Sequence, residues 1–137
     1  MIRKQPAILC AAALVLAMMA VAGIAMAALS TVGIRTKEGI GSYLADGKGF
    51  TLYTFKKDLP DKSACTSACT ERWPLFYAQK VTVLSGLKAE DFETIKRRDG
   101  KKQTAYKGMP LYYFIGDSEP DQTSGQGFEE QWYVAKP

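Results

Sequence analysis

An internal duplication constrains the fold of this chain more than any other feature. Laid over each other at an offset of 59, residues 49–78 and 108–137 pair Gly49 with Gly108, Leu52 with Leu111, Tyr53 with Tyr112 and Phe55 with Phe114. The same offset pairs Asp58 with Asp117, Glu71 with Glu130 and Trp73 with Trp132. Composition alone does not produce that coincidence, so the chain carries two copies of one unit. Two units are too few for a solenoid, which needs about three or more to bury its faces. The expectation is a compact domain with approximate two-fold symmetry, neither half of which folds alone.

Each unit reads as β. Ser42-Tyr43-Leu44-Ala45 and Phe50-Thr51-Leu52-Tyr53-Thr54-Phe55 flank Asp46-Gly47-Lys48-Gly49, a cluster suited to positive φ and hence a hairpin signal. Phe92-Glu93-Thr94-Ile95-Lys96 and Gln103-Thr104-Ala105-Tyr106 bracket a basic turn in the same way, Leu111-Tyr112-Tyr113-Phe114 follows, and Gln131-Trp132-Tyr133-Val134-Ala135 ends the chain as a strand. Helix is confined to a turn or two within residues 63–72 and another at residues 88–91. The class is mainly β: a compact domain of two pseudo-symmetric β repeats, about 40–78 and 92–137, with little helix.

The N-terminus reads as an address. Arg3 and Lys4 precede an uncharged apolar run, residues 7–29, and Ala25-Met26-Ala27 has the small residues of a signal-peptidase site. Residues 1–27 are therefore predicted to be a signal peptide cleaved after Ala27, leaving residues 28–137 as a single domain. The run is also long enough to stay as a membrane anchor, the chain's one route to a membrane. Cys10 stands at the start of the run behind Leu9, so there is no lipobox. Loss of Arg3 and Lys4 takes the net charge from +4 to +2, too mild to argue for nucleic acid.

The chain contains no histidine and no asparagine. Histidine-dependent triads, dyads and zinc sites are thereby excluded, as is N-glycosylation. No cofactor, metal site or catalytic residue set is predicted. Export leaves Cys65 and Cys69 in an oxidising compartment, where an even pair is normally bridged. Their spacing fails the thioredoxin-like pattern, so a structural disulfide is favoured over a redox-active pair. Ser85-Gly86-Leu87-Lys88 matches a Ser-x-x-Lys string without its companion motifs and is read as chance.

In an extended strand Tyr53 and Phe55 share one face, as do Tyr112 and Phe114 in the second unit. With Trp73 and Trp132 near them, such a stripe either builds a small β core, the favoured reading, or stacks sugars, peptidoglycan stems or a flat cofactor. Asp58 and Asp117 end those strands beside proline-bearing turns. Turn-building through their own backbone is favoured over calcium, which needs more oxygen ligands. Lys96, Arg97, Arg98, Lys101 and Lys102 crowd a hairpin tip and read as a solvated turn.

Tyr53-Thr54-Phe55-Lys56-Lys57-Asp58 and Tyr112-Tyr113-Phe114-Ile115-Gly116-Asp117 both fit a Tyr-x-(Phe/Trp/Tyr)-x-x-Asp signature. The chain resembles the bacterial exported family called the secreted repeat of unknown function, whose members are often labelled predicted lipoproteins. Tyr53, Phe55, Asp58, Trp73, Tyr112, Phe114, Asp117 and Trp132 are the motif positions. The resemblance implies an exported β module and brings no established activity; the missing lipobox departs from the label. Together these observations predict an envelope protein, periplasmic or secreted, that is a non-catalytic binding or structural module with an unknown envelope component or small ligand as partner. The alternative is a periplasmic redox or metal- or haem-associated accessory using Cys65 and Cys69 or the Asp-bearing turns.

Overall fold

The computed structural model describes residues 30–137. The proposed targeting segment and its cleavage site lie outside the described residues. The elements run β1 (Ser30–Lys37), β2 (Gly41–Asp46), β3 (Tyr53–Phe55), α1 (Ala68–Arg72), β4 (Val81–Val83), β5 (Phe92–Lys96), β6 (Lys102–Tyr106), β7 (Met109–Pro110) and β8 (Trp132–Val134), with 3-10 turns at Ala89–Asp91 and Phe128–Glu130. Strand outweighs helix, as the turn chemistry and β-branched or aromatic runs require. The three sheets have the orders β2-β1-β4, β3-β8 and β5-β6-β7.

The two-fold relation is written in the backbone pairing. β1 and β2 form an antiparallel hairpin with Val32 opposite Asp46, and β5 and β6 form its counterpart with Phe92 opposite Tyr106. β1 was not anticipated from sequence; its Ser, Thr, Gly and Arg positions dilute the apolar alternation that marks a strand. At the centre, Tyr53 N–H donates to Tyr112 O at 2.8 Å and Tyr112 N–H returns to Tyr53 O at 3.0 Å, so the pseudo-dyad passes between these residues. Pairings extend outward as Leu75–Tyr112–Tyr53–Val134. Strand β3 of the first unit thus pairs with β8 of the second, while Tyr112 of the second pairs back to Leu75 of the first.

This crossing revises the expected hairpin at residues 42–55. The turn forms, with Asp46 Oδ1 accepting the Lys48 and Phe50 N–H groups at 2.9 Å each, but residues 50–52 pair with β2 only around an Ala45–Thr51 bridge. Beyond it the chain leaves its own unit. The expected strand at residues 111–114 is likewise reduced to bridges at Tyr112.

Alternation about this centre makes two cores. On one side Tyr53, Phe55 and Tyr112 join Tyr43, Ala45, Cys65, Trp73, Trp132 and Val134; on the other, Leu52 and Leu111 join Val32, Leu44, Phe76, Ala78, Tyr106 and Ala135. The aromatic core holds most of the motif residues.

Candidate functional site

The aromatic core is a column of four rings. Phe55 stacks on Trp132 (centroids 4.2 Å apart, planes at 12°), Trp132 on Trp73 (3.8 Å, 2°) and Trp73 on Phe114 (4.4 Å, 27°). Tyr53 meets Trp73 edge-on at 5.4 Å, and Tyr112 meets Trp132 edge-on at 5.0 Å. The column obeys the duplication, since each unit contributes one tryptophan and one phenylalanine. Both faces of both indoles are covered, so no sugar ring stacks on Trp73 or Trp132; of the two sequence-based readings of the stripe, the core is the one found.

The acidic ends of the motif act between units. Tyr53 Oη donates to Asp117 Oδ2 and Tyr112 Oη to Asp58 Oδ2, each at 2.6 Å. The other carboxylate oxygens close the local turns: Asp58 Oδ1 accepts Ala64 N–H at 2.6 Å and Asp117 Oδ1 accepts Ser124 N–H at 2.9 Å. Each Asp therefore builds its own turn, as expected, and also latches onto the opposite unit's tyrosine. Burial, reinforced by the adjoining carboxylates, pushes both phenols far above the ordinary tyrosine range and keeps them neutral donors. Burial also raises Asp58, against the opposing pull of its Ala64 and Tyr112 hydrogen bonds and of Arg97.

The register between units slips by one residue inside these turns. Asp58 reaches an amide six residues on and Asp117 one seven residues on, which places Gly125 rather than Ser124 opposite Cys65. At Gly125 a Cβ would stand 2.8 Å from Trp73 Cη2 and 2.9 Å from Tyr53 Cε1. Ring edges of the first unit thus pass too close to the second unit's Gly125 for any side chain there.

Arg97 corrects the solvated-turn expectation for the basic cluster. It is buried, donating to Ser63 Oγ at 2.6 Å, Gln103 Oε1 at 2.8 Å and the Cys65 carbonyl at 2.5 Å, with an ion pair to Asp99 at 3.1 Å. Ser63 Oγ lies 2.6 Å from Tyr112 Oη, so one guanidinium joins the hairpin tip, the cysteine loop and the latch. Sequence reasoning missed this residue because a lone arginine inside a charge run carries no periodic signal. Lys96, Arg98, Lys101 and Lys102 of the same cluster are exposed.

Cys65 and Cys69 are disulfide-bonded, with Cα atoms 5.3 Å apart. The bridge spans Ser67, whose φ of 50° and ψ of −118° break the chain just ahead of α1, the local irregularity that a four-residue spacing demands. Cys65 is fully buried, whereas Cys69 reaches a groove of about 330 Å³ lined by Phe55, Lys57, Ala68, Cys69, Arg72, Trp73, Phe128, Glu129, Gln131 and Trp132.

That groove exposes the edge of the tryptophan pair. Among the described residues neither indole N–H has an acceptor, and neither nitrogen is sealed from solvent, although Trp73 and Trp132 are only 2% and 3% exposed. Trp73 turns its benzo edge toward Gly125, which leaves its pyrrole edge on the opposite side. Arg72 lies over the Phe128 ring at 5.4 Å. The two described ion pairs, Arg35–Asp121 and Arg97–Asp99, leave Lys57, Arg72 and Glu129 uncommitted. In the turn that brings Phe128 and Glu129 to the groove, Gly127, Glu129 and Glu130 have φ of 75°, 51° and 56°, a left-handed backbone that non-glycine residues adopt at a cost. Phe128, Glu129 and Gln131 were not singled out from sequence.

A family model described as "secreted repeat of unknown function" matches residues 35–76 and again residues 93–136. The chain belongs to this family. No curated protein and no solved structure matches it. The secreted-repeat matches begin within β1 and β5 and end near Phe76 and Lys136, so each holds one latch tyrosine, one latch aspartate and one stacked tryptophan. Among the described residues no helix is long and apolar enough to cross a membrane.

Proposed function

We propose that this secreted repeat is a non-catalytic binding module of the bacterial cell envelope, periplasmic or secreted, with its ligand site in the groove at the pseudo-dyad. The observation that carries this reading is a pair of nearly buried indoles whose N–H groups meet no acceptor among the described residues. Buried tryptophan N–H groups ordinarily find a partner. Here both indoles line a concavity with an aromatic floor and a polar rim, the usual form of a small-molecule site. Phe55 of the motif lines the groove as well, whereas the latch residues support the site without entering it and, with Arg97, hold the ring column rigid. The N-terminal segment, cleaved after Ala27, would deliver the module across the membrane; mass determination of the exported protein tests that, and a retained leader would instead make it an anchor.

Trp73 and Trp132 are the only tryptophans of the chain, so intrinsic fluorescence reports on the groove directly. Titration of the exported protein with soluble fragments of envelope glycans and stem peptides, and with metals and haem, is expected to give a saturable change with the organic fragments. An enzyme would instead turn one of them over, and that result would displace the binding reading. A redox accessory is the second reading, favoured by the one observation that Cys69 lines the groove. The full burial of its partner Cys65 weighs against exchange.

A further inference from the structure

We propose that the groove recognises a monocarboxylate: a carboxylate accepts hydrogen bonds from the Nε1–H groups of Trp73 and Trp132 while Arg72 and Lys57 supply the opposite charge. This rests on the reading of the groove as a ligand site and names what that site selects. The donors are fixed before any ligand arrives. Each indole is clamped between two rings, with planes 2° apart at the centre of the column, so neither donor must give up rotamer freedom on binding.

A donor pair without an acceptor among the described residues calls for oxygen atoms, and a carboxylate brings two. Arg72 and Lys57 make those oxygens preferentially anionic, because neither cation is paired within the described chain. Arg72 is already seated over Phe128, which presents its guanidinium at the groove. Glu129 lines the same groove and opposes a second negative charge, so a monoanion is preferred to a phosphate dianion. Phe55, Phe128 and Ala68 offer apolar surface to the remainder of the ligand. At about 330 Å³ the space suits one sugar ring or a dipeptide. In the envelope two chemistries present such a group, an acidic sugar and a peptide C-terminus.

The test is a titration of the ¹⁵N-labelled exported protein followed by NMR, where its two tryptophans give two indole N–H signals. The probes are N-acetylmuramic acid and D-alanyl-D-alanine, against the neutral N-acetylglucosamine and the amidated dipeptide. Saturable shifts of both indole signals with an acid, and not with its neutral partner, support the proposal and identify the source. Arg72→Gln is then expected to weaken binding by about tenfold or more, the loss of one charged hydrogen bond. If a neutral probe binds as well as its acid, or an acid binds while both indole signals stay put, the carboxylate assignment is overturned and the binding reading stands. If inorganic phosphate matches the acids, the preference for a monocarboxylate is wrong. If no probe moves any groove signal, both readings fall.

Discussion

At the scale of single residues, the Tyr-x-aromatic-x-x-Asp motif is two half-latches that close only on each other. Tyr53→Phe leaves Asp117 Oδ2 without its phenolic donor, and Tyr112→Phe does the same to Asp58. A hydrogen bond to a charged group contributes roughly 1.5–3 kcal/mol, so each substitution is expected to lower stability by about that much in urea unfolding. The pH dependence of the latch has a definite sign. The carboxyl of Asp58 is raised above 3.8 by burial in the folded state, so the native chain holds this proton at pH values where the unfolded chain has lost it. The contribution is fully present below the unfolded value and is lost as pH rises through the folded one. Asp58→Asn keeps an oxygen for Ala64 N–H but cannot titrate, so its deficit relative to wild type should be larger at acid pH than at neutrality. A deficit that shrank on acidification would mean that the folded carboxyl is depressed, with Arg97 outweighing burial. The motif residues could be picked out from sequence because the duplication marks them twice, but a pairing between units has no local signal.

At the scale of elements, the disulfide and Arg97 share one task, holding the segment from Ser63 to α1 against the second unit's hairpin. α1 has no side-chain cap and no buried residue of its own, so a helix of five residues cannot be stable by propensity. It stands because Cys69 is tied to Cys65 and because Trp73, just past its end, is locked in the ring column. Replacing both cysteines by serine is expected to cost about 2 kcal/mol on the loop-entropy estimate for so short a loop. The chain should remain folded and keep its groove ligand with reduced affinity, as calorimetry on both variants would measure. Unchanged stability with abolished function would favour the redox reading instead. Elements with strong local chemistry were readable: the turn at residues 46–49, the hairpin of β5 and β6, the terminal strand and the short helix all follow from turn residues and alternation. β1, β4 and the crossing of β3 to β8 were not, because runs of three residues carry too little periodicity and the choice of partner strand is a tertiary decision. The groove was unreadable for the same reason, being assembled from β3, α1, the turn at residues 128–130 and β8, segments whose proximity only the crossing creates.

At the scale of the whole molecule, the crossing determines how the protein must unfold. If each repeat packed mainly against itself, two quasi-independent transitions would be expected, as in arrays of separable units. Here the interior of each repeat is completed by the other. β3 pairs with β8, the central amides of Tyr53 and Tyr112 bond each other, and the Trp73–Trp132 contact lies on the pseudo-dyad between units. Loss of either half removes a face from every ring in the column and a donor from one buried carboxylate. One cooperative transition is therefore expected, with tryptophan fluorescence, which reports both units, and far-ultraviolet circular dichroism giving coincident midpoints. Native-state hydrogen exchange provides the sharper measurement. The amides of Leu52, Tyr53, Leu111 and Tyr112 should open with one common free energy, and Tyr53→Phe should lower the protection of both pairs equally. Protection lost in residues 30–78 alone would show that the first repeat has a core of its own, and would separate the latches from the stability of the groove they frame.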